Sequence, residues 1–145
     1  DGSSYLELAD FIIQNGAKPN EDLKELWKRI IFNMAVSNTD DHLRNHGFLL
    51  TANGWRLSPA YDVNPQTDKD ELSLNVNDED NSIDINLAIE TSRFFQLDRN
   101  EAKNLAEKIC LIVRESWEGT ARRYGLSRGQ IEIMRPAFEA SNWGK

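Results

Sequence analysis

A mainly α-helical domain with small β-hairpins is what this sequence predicts, on three observations. Apolar residues recur at helical spacing up to about Ser37 and again from about Asn86 onward. Between those stretches, short alternating segments are separated by turn residues, with Asn53-Gly54 as the tight-turn signal. The 145 residues are 39% hydrophobic and include four Trp and six Phe, so one helical core can be filled.

Ser3 to Asn15 reads as the first helix, with Tyr5, Leu6, Leu8, Ala9, Phe11, Ile12 and Ile13 on a broad apolar face, Ser3 or Ser4 as cap and Gly16 as stop. Lys18-Pro19-Asn20 reads as a turn with Asn20 capping a second helix from Glu21 to about Ser37. Leu23, Leu26, Trp27, Ile30, Ile31 and Met34 face inward, and from Ile30 to Val36 the helix is apolar nearly all round. Gly47 to Leu50 and Trp55 to Leu57 form the first expected hairpin. Leu72 to Val76, which alternates cleanly, and Ile83 to Ile85 form a second around a turn at Asn77 to Ser82. Asn86 to Gln96 reads as a helix with Phe94 and Phe95 in the core. Asp98 with Glu101 opens a long helix to about Tyr124, with Leu105, Ile109, Ile112, Val113 and Trp117 facing in. Ser127 with Gln130 caps a last helix interrupted by Pro136, and the tail from Ser141 is expected to be loose.

The bulk numbers exclude several functions. A net charge of -7 repels phosphate backbones, so nucleic acid is not an expected direct partner. The single cysteine, Cys110, rules out an internal disulfide and suits a cytoplasmic setting. No apolar run approaches the roughly 20 residues of a membrane span. No signal peptide or internal repeat is visible, and Asp1 in place of Met suggests a piece of a longer protein.

The chemistry concentrates in Asn38-Thr39-Asp40-Asp41-His42-Leu43-Arg44-Asn45, which directly follows the buried helix, and in Tyr61-Asp62 beyond the first hairpin. Asp40 and Asn45 have the D-x-x-x-x-N spacing of a kinase catalytic loop, where the Asp serves the attacking hydroxyl and the Asn a metal ion. Asp40 is the candidate carboxylate at the acceptor. Asn45 offers an amide oxygen to magnesium, and Asp62 a charged one. The hairpin is expected to bring Asp62 beside Asn45. His42 reads as a brace for the loop and Tyr61 as packing beside Asp62. Asp41 reads as a solvated turn acid, His46 as a surface residue, and Asp78-Glu79-Asp80 as a solvated turn.

This loop, followed by a hairpin and then Ser58-Pro59-Ala60-Tyr61-Asp62, resembles the C-terminal lobe of the HipA-like serine/threonine kinases, toxins of bacterial toxin–antitoxin modules. The resemblance is best from Ile30 to Pro65. It implies a protein-kinase-like C-terminal lobe, ATP and Mg2+ as cofactors, a protein substrate with a Ser/Thr hydroxyl, and a small DNA-binding antitoxin of the HipB type as partner. It also implies the residue roles: Asp40 catalytic, Asn45 and Asp62 metal- and cofactor-binding. Asp62 is followed by Val63-Asn64 rather than Phe-Gly. No glycine-rich phosphate loop or strand with an ATP-anchoring Lys precedes the catalytic loop. The expectation is therefore that residues 1–145 form one helical C-lobe, that the N-terminal ATP-binding lobe is absent from this chain, and that the segment alone transfers little phosphate. The rival readings are a catalytically silent helical module that docks an antitoxin or another partner, and a metal-dependent hydrolase using the same generic ligands.

Overall fold

The computed structural model of the chain describes residues 2–60 and 63–145. Its elements run α1 (Tyr5–Asn15), α2 (Pro19–Val36), β1 (Phe48–Thr51), β2 (Gly54–Leu57), α3 (Ile85–Glu90), α4 (Arg99–Arg123) and α5 (Arg128–Met134), with short 3-10 turns between and after them. The described residues are mainly helical, with one two-stranded antiparallel sheet.

The centre of the packing is α2. Leu23, Leu26, Trp27, Ile30, Ile31 and Met34 are fully buried, and α1, α3 and α4 pack around them. Trp27 meets its polar requirement by donating Nε1–H to the Ala88 carbonyl at 2.9 Å. The helix begins at Pro19, two residues before the expected Glu21, and Lys18 rather than Asn20 is its cap. Proline needs no N–H in the first turn and its fixed φ is already helical, so it extends the helix rather than turning the chain. In α1 the expected capping is present: Ser4 Oγ accepts from the Leu6 N–H at 3.0 Å and Glu7 Oε2 from the Ser4 N–H at 2.8 Å.

The first hairpin forms with Phe48 opposite Leu57 and Thr51 opposite Gly54. Gly54 sits at φ 132, and a Cβ there would lie 2.9 Å from the Asn15 carbonyl oxygen, so glycine is required by both conformation and space. The Ala17 N–H donates to the Trp55 carbonyl at 2.8 Å and Phe11 packs on Phe48, which docks the hairpin on the end of α1.

The second expected hairpin does not form. Leu72, Leu74 and Val76 alternate into the core as their pattern requires, but their backbone pairs elsewhere. The Ser73 N–H donates to Thr39 at 3.0 Å, Asn75 N–H to Ser3 at 2.8 Å, and Tyr5 N–H to Asn75 at 3.0 Å. An isolated bridge, Glu71 to Ser82, and backbone bonds from Leu72 N–H to Asn81 at 2.8 Å and from Val76 N–H to Asp80 at 2.7 Å tie the first arm to its turn, but no strand ladder to Ile83–Ile85 forms among the described residues. Asp84 caps α3, taking N–H donors from Asn86 and Leu87, so Ile85 is helical.

The helix expected to Gln96 breaks at Thr91 into a 3-10 turn. Phe95 is buried, but Phe94 is exposed beneath the Arg93 guanidinium. The long α4 starts at Asp98 as expected and buries Ala102, Ala106, Cys110 and Val113. Ile112 points to solvent, because the buried stripe runs through the small residues and not through the larger ones beside it. After α5 the chain continues as a 3-10 segment, Arg135–Asn142. The tail is not loose here: Ser141 is buried and Trp143 packs on the core, donating Nε1–H to Asn86 Oδ1 at 3.2 Å. No helix among the described residues is long and apolar enough to cross a membrane.

Candidate active site

The candidate loop starts where α2 is forced to stop. Ser37 adopts the left-handed conformation, φ 55, and its N–H still closes onto Asn33 and Met34. A non-glycine residue there costs about 1 to 2 kcal/mol. The position is held from several sides. Ser37 Oγ donates to Ala137 at 2.6 Å, and the Ser37 carbonyl accepts from Thr39 N–H at 2.9 Å and Gln66 N–H at 3.0 Å. Asn38 is buried. Its amide donates to Asn33 Oδ1 at 3.0 Å and its Oδ1 accepts from the Asn64 N–H at 3.3 Å, tying the loop to the segment after the hairpin. The Thr39 carbonyl accepts from both Ser73 N–H and Ser73 Oγ, the latter at 2.6 Å.

From this anchored start the two adjacent acids diverge. The Asp40 side chain is 59% exposed, and its Oδ1 lies 3.2 Å from His42 Nε2. The Asp41 side chain is 6% exposed. Its Oδ2 accepts from Tyr5 Oη at 2.7 Å, from Asn33 Nδ2 at 3.0 Å and from His46 Nε2 at 2.7 Å. Asp41 is therefore not the solvated turn acid its sequence context suggests, and His46, 3% exposed, is not a surface residue. An ionised carboxylate is tolerated in such a place only when its oxygens are supplied with donors, and here one oxygen receives three. Burial, reinforced by the Asp41 charge, pushes the Tyr5 phenol well above its ordinary range.

Between Asp41 and His46 the chain makes one 3-10 turn, Leu43–Asn45. Asn45 is buried, and its Oδ1 accepts from the His42 N–H at 2.8 Å, which fixes the amide's orientation. The sequence-predicted residues Asp40, His42 and Asn45 are thus brought together on one turn. Tyr61 and Asp62 lie outside the described residues. Their neighbours Ala60 and Val63 line a cavity of about 70 Å³ together with Arg29, Phe32, Asn33, Asp41, Asn45 and His46. Arg29, buried on α2, donates Nε–H to Glu25 and Nη2–H to the Ser58 carbonyl; its Nη1 has no hydrogen-bond partner among the described residues. No cluster of three or more His, Cys, Asp or Glu side chains suited to a metal occurs among the described residues.

Sequence reasoning missed Asp41, His46, Tyr5 and Asn33. One signal was available. Asn33 interrupts an otherwise apolar run from Ile30 to Val36, and a polar side chain in a buried stretch requires a partner.

Residues 1–117 match the HipA-like C-terminal domain family. The chain belongs to that family. It is also 37% identical over 60 residues to a Haemophilus influenzae (strain ATCC 51907 / DSM 11121 / KW20 / Rd) protein named "Putative kinase"; the match covers 41% of this chain. It spans 18% of that relative's length, less than a fifth.

Proposed function

We propose that this HipA-like domain supplies the catalytic loop of a serine/threonine protein kinase of the HipA-like toxin type, transferring phosphate from ATP to a protein hydroxyl. The observation that carries the reading is the division of labour within Asp40 to Asn45. Asp40 is presented to solvent with His42 beside it, while Asn45 is turned inward and held by a backbone N–H.

Asp40 orients the acceptor hydroxyl and takes its proton as the oxygen attacks. His42, at 3.2 Å, restricts the Asp40 carboxylate. Asn45 and Asp62 are the residues that would hold magnesium. Their oxygens are the hard donors that this ion prefers. Arg29, whose Nη1 has no hydrogen-bond partner among the described residues, places cationic character at the cavity that Asn45 lines, which suits anionic phosphate. Magnesium held by Asn45 and Asp62 would supply positive charge to offset that of the phosphates.

The test is magnesium–ATP binding by calorimetry and transfer of labelled phosphate, using the protein of the complete reading frame in wild-type, Asp40→Ala and Asp62→Ala forms. The reading expects protein-bound label in the wild type. Asp40→Ala should retain nucleotide but lose label, and Asp62→Ala should lose both. Release of free phosphate without labelled protein would instead favour a metal-dependent hydrolase.

One observation favours a second reading. An apolar groove of about 370 Å³ is lined by residues including Phe32, Val36, Val63, Trp117 and Phe138. In that reading the domain is a catalytically silent module that docks a HipB-type antitoxin or another partner. Unchanged partner binding in a protein that neither binds magnesium–ATP nor transfers phosphate would support it.

A further inference from the structure

We propose that Asp41 and His46 are positioning residues that clamp the two ends of the loop carrying Asp40 and Asn45. This inference rests on the kinase reading above. Asp41 directly follows the exposed acid and His46 directly follows the inward-facing amide, so both sit one peptide unit from the groups that matter. Their side chains meet at 2.7 Å, which closes a six-residue ring of chain, Asp41 to His46, around the 3-10 turn. Inside that ring the His42 N–H holds Asn45 Oδ1 at 2.8 Å, a bond possible only while the turn is kept tight.

The clamp is fastened to the scaffold through the same carboxylate oxygen. Tyr5 brings α1 to it and Asn33 brings α2, and Asn33 Nδ2 also lies 3.1 Å from Tyr5 Oη. The Tyr5 ring meets the His46 imidazole edge-on, with centroids 6.1 Å apart. All four side chains sit on buried ground. Such an arrangement is what placing Asp40 and Asn45 to a fraction of an ångström requires.

Neither residue touches the reacting atoms in this account, so the test must separate positioning from stability. The full-length protein is compared as wild type, Asp41→Asn, His46→Gln, Tyr5→Phe and Leu97→Ala. Leu97 is a buried core residue that the loop interactions do not involve, and its variant controls for destabilisation. The readouts, taken well below each melting temperature, are the magnesium dependence of phosphate transfer and hydrogen exchange at the His42 and Asn45 amides. Loss of outer-shell partners typically costs about 10- to 100-fold in metal affinity or activity. Asp41→Asn and His46→Gln should therefore need about tenfold or more magnesium for half-maximal transfer, with faster exchange confined to the loop. Tyr5→Phe should show the same pattern more weakly. Leu97→Ala should lower the melting temperature while leaving both readouts at the wild-type value.

If Asp41→Asn does not fold, His46→Gln and Tyr5→Phe decide the matter. Folded clamp variants with wild-type magnesium dependence and exchange would overturn the proposal. A shift of equal size in Leu97→Ala would do so too. Absence of transfer in the wild type would contradict the kinase reading first, and with it the function assigned to the clamp.

Discussion

Asp40 and Asp41 are identical side chains one residue apart with opposite fates, one in solvent and one buried under three donors. Their immediate neighbours in sequence do not say which of the two is buried. The D-x-x-x-x-N spacing selects Asp40, but Asp41 finds its partners on α1 and α2, 36 and 8 residues away, and a local reading does not see these. The pairing has a consequence for pH. Tyr5 ionises well above its ordinary value in the folded protein, so the folded state retains a proton that the unfolded chain gives up at about pH 10. The associated stability is fully present below that pH and is lost as pH rises toward the folded value. Alkaline titration followed by tyrosinate absorbance should show Tyr5 ionising only as the protein unfolds. Tyr5→Phe should reduce the loss of stability across this range, and an unchanged alkaline profile would count against the buried assignment. Cys110 is likewise shielded: burial pushes its thiol up, against a smaller opposing effect of Arg114. A thiol reagent should label it only under unfolding conditions, so rapid labelling of native protein would contradict the packing of α4.

At the scale of elements, helical periodicity located α1, α2 and α4 well, because the buried stripe of each is written in its own residues. The failure at residues 72–85 has a different origin. Alternation correctly buries Leu72, Leu74 and Val76, but it does not say which backbone they pair with, and Ser3 and Thr39 compete successfully with Ile83 to Ile85. Long-range pairing of this kind leaves no local trace. The same holds for the link between hairpin and core. Asp22 is buried on α2 and accepts from the Leu57 N–H at 2.8 Å and from Arg56 Nε at 3.0 Å. Asp22→Ala leaves that N–H without its partner. It should cost about 1 to 3 kcal/mol, read as a lower midpoint in a denaturant titration. Leu26→Ala, at the fully buried centre of α2, should cost roughly 2 to 5 kcal/mol. A loss under 1 kcal/mol at either site, read against the roughly 1 kcal/mol of a typical substitution, would show that α2 is not the organising helix.

For the molecule as a whole, the rigid α2, the left-handed stop at Ser37 and the Asp41–His46 contact form one continuous support running from the core to an exposed acid. The motif and the hairpin after it were legible in the sequence because their residues are contiguous. The support beneath them was not, because it is assembled from Tyr5, Asn33, Asp41 and His46 by the fold itself. The sequence contains no glycine-rich phosphate loop, so residues 1–145 alone are expected to transfer phosphate at a small fraction of the rate of the complete reading frame. Equal rates for the two would refute this. The most direct test of the central claim is transfer of labelled phosphate by the complete protein in wild-type and Asp40→Ala forms, at saturating magnesium and ATP. A positioned general base is worth about 100- to 10,000-fold. The account predicts labelled protein in the wild type and a loss of that order in Asp40→Ala, with the melting temperature unchanged. Undiminished label in Asp40→Ala, or none in the wild type, would contradict it.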